Sequence, residues 1–145
     1  MEHQVFIDHE DFPGYSGQEN ALSYVLGALG ESRGITWSEV NVIVQRDIEH
    51  TALNIKYLGH EYSTDILTFD MSSGEEVGGE IYINWDVCVQ NAEYYNESQQ
   101  REFYRLMIHG VLHLIGWHDH TDAERSAMRL EEDRLLSLLK EDGFM

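Results

Sequence analysis

Between about Ser98 and Ile115 the chain is apolar on every side of a helix, and no other segment restricts the fold so much. Phe103, Met107, Val111 and Leu114 recur at helical spacing, and Ile108, Leu112 and Ile115 make the remaining faces apolar as well. Such a helix is stable only when other elements surround it, so it must run through the interior. It carries His109 and His113 one turn apart, on a single face. Two polar rings in a buried helix need partners, and one metal ion can serve both.

The residues that follow extend this reading. "HGVLHLIGWHDH" (109–120) holds four of the chain's eight histidines. Gly116, just past the helix, can adopt a left-handed conformation and turn the chain back toward the same ion. Two histidines and one further ligand make a facial site with open positions for water or substrate. His118, Asp119 and His120 all lie within reach, but one ion cannot take all three. In an extended segment His118 and His120 point away from Asp119. The rival reading is a pair of hydrogen-bonded core histidines beside an unrelated loop. Peptidase helices of this kind read HExxH, with a glutamate as base; position 110 is glycine, which disfavours peptide hydrolysis.

Periodicity and caps give the other elements. "HQVFI" reads as a short strand, followed by a capping box from Ser16 to Glu19 and a helix burying Ala21, Leu22, Val25, Leu26 and Leu29. Gly30 and Gly34 are expected to end that helix. "VNVIV" (40–44) alternates and is a strand; Asp47 caps a helix through Ile48, Ala52 and Ile55 that stops at Gly59. "ILTF" (66–69) and "EIYIN" (80–84) are strands around an acidic loop, and helical spacing returns from Trp85 to about Asn96. Thr121 and Glu124 form a capping box for a last helix that buries Met128, Leu135 and Leu138 or Leu139. The expected architecture is α+β: one small domain over residues 1–145, with a mixed sheet of about four strands packed with helices. The metal site lies at the end of the long buried helix.

Nine basic against 27 acidic residues leave a formal charge of −18, which repels nucleic acid at long range. A function on RNA must therefore depend on a local site, a metal or a partner. The start of the chain lacks a signal peptide's pattern, and Cys88 is the single cysteine, so a cytoplasmic protein is expected. On its apolar helical face Cys88 reads as a small core residue.

The motif resembles that of the YbeY family, whose signature runs HGxLHLxGYDH. "HGVLHLIG" matches every fixed position, with Trp117 for the tyrosine. "LNIKYLGHEYSTDILTF" (53–69) is similar to the family's LNxxYRxxDxPTDVLSF, and "GEIYIN" followed by "QNA" is similar to its GDIxI segment. The resemblance implies an α+β fold, a zinc site with His109 and His113 as its first two ligands, and RNA cleavage. The family's third histidine falls on Asp119. Either this carboxylate replaces it, which preserved spacing favours, or an inserted residue brings His120 into place. The family's phosphate-contacting arginine falls on Leu58, with Lys56 and His60 nearby. The resemblance places Thr64, Asp65 and Thr68 beside the site, a turn cap being the rival reading of Asp65, and Asn54 stands at a family position.

The expected function is zinc-dependent, single-strand-specific endoribonuclease action in 16S rRNA 3′-end maturation and ribosome quality control, by metal-activated attack of water on a phosphodiester. His109, His118 and His120 form the expected catalytic set, His118 or His120 serving as acid or base. One Zn2+ per chain is expected, although nickel or another divalent ion fits the same donors. Expected partners are ribosomal RNA, the small ribosomal subunit and a ribosome-associated GTPase, with neither membrane nor DNA. The rival function is a ribosome-assembly factor with a structural zinc and little or no catalysis; a metallopeptidase stands third.

Overall fold

The computed structural model describes residues 3–7, 17–59 and 64–145. The order of elements is the one the periodicity gives: β1 (Gln4–Ile7), α1 (Gln18–Arg33), β2 (Thr36–Gln45), α2 (Asp47–Leu58), β3 (Ile66–Asp70), β4 (Glu76–Asn84), α3 (Trp85–Tyr94), α4 (Gln99–Leu114) and α5 (Asp122–Glu141). The strands form one four-stranded mixed sheet in the order β1-β2-β4-β3. β1 and β4 each run parallel to β2, and β3 runs antiparallel to β4.

Register fixes the core face. Val42 pairs with Ile81 and Val44 with Ile83, and all four are fully buried. α1 and α4 pack on the sheet, while α3 and α5 pack on α4. α4 is therefore enclosed, which is why its sequence is apolar on all sides: Phe103, Leu106, Met107, Ile108, Val111 and Leu112 are all buried. Its approach to β4 is so close that a Cβ at Gly110 would stand 2.5 Å from Cγ2 of Ile81.

Several local expectations change. α1 runs through Gly30 and ends at Gly34, which takes the left-handed conformation. Leu29, fully buried, anchors the turn that a lone glycine would otherwise loosen. Ser16, and with it the expected capping box, lies outside the described residues; Gly17 is the N-cap, and Glu19 Oε2 accepts a bond from the Val5 N–H. Arg46, not Asp47, precedes the first turn of α2, and the Asp47 N–H is satisfied by Oδ2 of Asp86 at 2.7 Å. That cap comes from α3, so no local pattern could announce it. The buried residues of α2 are His50 and Asn54, whereas Ile48 and Ile55 are exposed. At the other end of the chain the Thr121–Glu124 capping box forms as read. Met128, Leu135 and Leu139 are buried, and so are Glu131 and Glu132.

Candidate metal centre

The end of α4 is shaped by Gly116. With Gly116 at φ 95°, its N–H donates to His113 O and the Trp117 N–H donates to Leu112 O. This pair of bonds is a Schellman closure, and it reverses the chain as expected from the sequence. Trp117 then packs on the core, with the Arg33 guanidinium 4.7 Å from its ring centroid.

The reversal brings Asp119 back to the helix. Nε2 of His109 and Nε2 of His113 are 3.0 Å apart, and Oδ2 of Asp119 lies 3.4 and 3.5 Å from them. Ligands held about 2.0–2.2 Å from a tetrahedral ion stand roughly 3.3–3.5 Å from one another. The two Asp119 distances fall in that range and the distance between the two Nε2 atoms is a few tenths shorter, so the three atoms come close to the spacing of one face of a tetrahedral site. Among the described residues they are the one His/Cys/Asp/Glu group close enough to share an ion.

Hydrogen bonding on the far side of each ring decides what the Nε2 atoms present. Nδ1 of His113 is 3.0 Å from Trp117 O, a carbonyl that can only accept, so Nδ1 carries the proton. Nδ1 of His109 is 2.6 Å from Oε2 of Glu132 and donates to it. In the neutral rings both Nε2 atoms then offer lone pairs to the same point, an arrangement that calls for a cation. The two imidazoles differ electrostatically. Burial pulls His109 down, but the Glu132 hydrogen bond and charge, with Asp65 and Asp119, outweigh it and raise its pKa. His113 is lowered, by burial and then by the neighbouring His109.

Glu132 is the residue the sequence reading passes over. It is buried, and it also meets Arg105 Nη1 at 3.3 Å. Its signal was present: it falls in the same stripe as Met128, Leu135 and Leu139, where a carboxylate is out of place without a partner.

A cleft of about 450 Å³ opens beside these atoms. Asp65, Tyr95, Arg105, His109, Asp119, Arg125, Arg129 and Glu132 are among the residues that line it. His118 and His120 are exposed, stacked on each other with centroids 5.5 Å apart, and lie outside both the three-atom group and the cleft lining. Asp65 Oδ1 accepts from the Ile66 N–H, so it combines a turn bond with a place on the cleft. Thr64 bonds Nε2 of His50 at 3.1 Å, and Thr68 pairs with Ile81 within the sheet. Asn54 is buried in α2, and Leu58 and Lys56 are exposed beyond the cleft lining, Lys56 lying over the Tyr57 ring. His60 lies outside the described residues. Cys88 is fully buried in the core, and burial pushes its thiol up.

Among the described residues no helix is long and apolar enough to cross a membrane. A family model described as Endoribonuclease YbeY matches residues 14–140. A protein of Parabacteroides distasonis named Endoribonuclease YbeY is 34% identical over 125 residues, covering 86% of this chain and 88% of that protein. The protein of the same name from Salinibacter ruber is 31% identical over 140 residues, covering 90% and 88%. A solution structure of a Thermotoga maritima protein superposes with a TM-score of 0.63 at 26% identity, covering 96% of this chain and 90% of that one. The motif, the fold and these likenesses agree: the chain belongs to the YbeY family.

Proposed function

We propose that the chain is a zinc-dependent endoribonuclease that cleaves single-stranded RNA in 16S rRNA 3′-end maturation and ribosome quality control. The observation that carries the metal part is the convergence of two Nε2 lone pairs and one carboxylate oxygen at close to tetrahedral spacing. Family membership supplies the RNA substrate and the hydrolysis of a phosphodiester.

His109, His113 and Asp119 would hold the ion, with Asp119 rather than His120 as third ligand. A divalent ion supplies a Lewis acid for a phosphoryl oxygen and water acidic enough to react near neutral pH. Glu132 and the Trp117 carbonyl keep each imidazole in the tautomer that faces the cleft. His118 and His120, which flank Asp119 in the chain although their rings stand outside the cleft lining, are the side chains assigned the proton transfers to and from the attacking and leaving oxygens. His109 contributes to catalysis through its hold on the ion. Gly110 leaves no carboxylate where a peptidase carries its base, which favours phosphodiester over peptide chemistry. The small ribosomal subunit and a ribosome-associated GTPase are the partners this role implies, in the cytoplasm where ribosomes mature.

The test joins composition to activity. Purified protein should contain one equivalent of zinc and cut an unstructured RNA oligomer; chelation should stop cleavage and added zinc restore it. RNA left intact equally with and without chelator would sink the proposal. The alternative, a zinc that only holds the fold, would be favoured if His109→Ala lost stability yet kept rRNA processing in cells.

A further inference from the structure

The −18 charge leaves RNA few places to approach this chain. Of its nine basic residues three, Arg105, Arg125 and Arg129, line the cleft beside the candidate metal centre. They are not equivalent. Arg105 is nearly buried and held by Glu102, Glu132 and Asp133. Arg125 donates to the carbonyls of Asp119 and His120 and pairs with Asp122, which ties it to the loop that carries Asp119. The Arg129 side chain is 52% exposed, and its one ion-pair contact among the described residues, to Glu132, is stretched to 4.0 Å. It is the cation in the cleft with the most freedom to take a new anion.

An aromatic ring lines the same cleft. Tyr95 caps the end of α3, its backbone N–H donating to Asn91 O at 2.9 Å. It is 58% exposed, and Tyr94 holds it edge-on with centroids 4.9 Å apart. An exposed aromatic ring and a loosely held guanidinium lining one cleft are the pairing by which proteins hold unstacked nucleotides: base on ring, phosphate on cation. Leu58 stands where the family places its arginine, and among the described residues neither it nor Lys56 lines the cleft.

We propose that Arg129 and Tyr95 form a subsite for single-stranded RNA, the guanidinium on a phosphate and the phenol ring against a base. The subsite deepens the endoribonuclease reading and rests on it. It places the substrate-holding cation on α5, on a different element from the family's arginine. Both side chains are more than half exposed, so replacing them removes no core packing.

The experiment is steady-state cleavage of an unstructured RNA oligomer by zinc-loaded protein across a series of salt concentrations. Arg129→Ala should raise KM about tenfold with kcat nearly kept, and lower the slope of log KM against log salt by about 0.7, one phosphate contact on a single strand. Arg129→Lys should recover the salt slope. Tyr95→Ala should raise KM by about tenfold, the scale of losing one stacked base, while Tyr95→Phe stays near wild type. Lys140→Ala, about three turns along α5, should change neither value. Unchanged KM and salt slope in Arg129→Ala and Tyr95→Ala would overturn the subsite, and so would a Lys140→Ala effect as large as that of Arg129→Ala; wild-type cleavage in the same assay would leave the endoribonuclease reading standing. A wild type that fails to cut with zinc bound overturns that reading, and the subsite with it.

Discussion

Nδ1 of His109 meets Oε2 of Glu132 at 2.6 Å, and that single bond decides which ring nitrogen faces the cleft. Glu132 reaches His109 from the next helix, so the packing of α5 on α4 is also what orients the candidate metal ligand. Glu132→Gln keeps an acceptor and the side chain's volume but removes the charge. Zinc affinity, measured against a competing chelating dye, should fall by about 10–100-fold with the circular dichroism unchanged. Unaltered affinity would show that the carboxylate matters only for packing.

The third ligand can be decided by metal content. Asp119→Ala should purify with little zinc, whereas His120→Ala should keep it, because His120 lies outside the converging group. Asp119→His should also retain zinc, since imidazole binds at a bond length close to that of carboxylate oxygen. The reverse pattern, zinc lost with His120 and kept without Asp119, would move the site to the alternative ligand.

Removing the ion should cost stability as well as activity. Free zinc at 100 times its dissociation constant stabilises the folded state by about 2.7 kcal/mol. For a chain of this size each kcal/mol moves the midpoint by roughly 2–4 °C, so chelation should lower Tm by about 5–10 °C. A melting curve indifferent to chelator would argue against a tightly held metal.

Gly110 has a packing reason independent of any reaction. Its missing Cβ lets Ile81 approach, and Gly110→Ala should cost about 1–3 kcal/mol in a denaturant titration through overpacking. Gly110→Glu should fail to fold, so a peptidase-type motif cannot be installed here by that substitution. A stable Gly110→Glu protein would contradict the packing described.

His50 supplies a pH dependence. Burial, opposed by Asp65 and Asp47, lowers its pKa to about 4, against 6.5 for the unperturbed group. Between these values the unfolded chain binds a proton that the folded chain refuses, so stability rises with pH and is lost as pH falls from 6.5 toward 4. The loss attributable to His50 is on the order of 3 kcal/mol. Comparing wild type with His50→Gln by denaturation at several pH values should show a flatter profile for the variant in that window.

How much of this was legible beforehand differs from element to element. α4 was readable from end to end, because burial on all sides forces a composition that no other described helix shares. The Gly116 reversal was readable because only a residue without a Cβ takes that backbone angle cheaply. The α2 cap was not, since its acceptor sits on Asp86, 39 positions away from Asp47. Glu132 was half-visible, an acid in an apolar stripe whose partner lay 23 positions upstream.

The sequence by itself therefore determined the order of elements, the pair His109 and His113, and the turn that returns the chain to them. These depend on interactions within a few residues, and a period of 3.6 or a glycine at a helix end encodes them directly. Spacing favoured Asp119 over His120, but tertiary structure brought its carboxylate to the two Nε2 atoms, and it alone decided that Glu132 fixes the tautomer and that Arg129 and Tyr95 share one cleft. Those outcomes depend on how α3, α4 and α5 pack, a distance relation between helices that no spacing along one of them records.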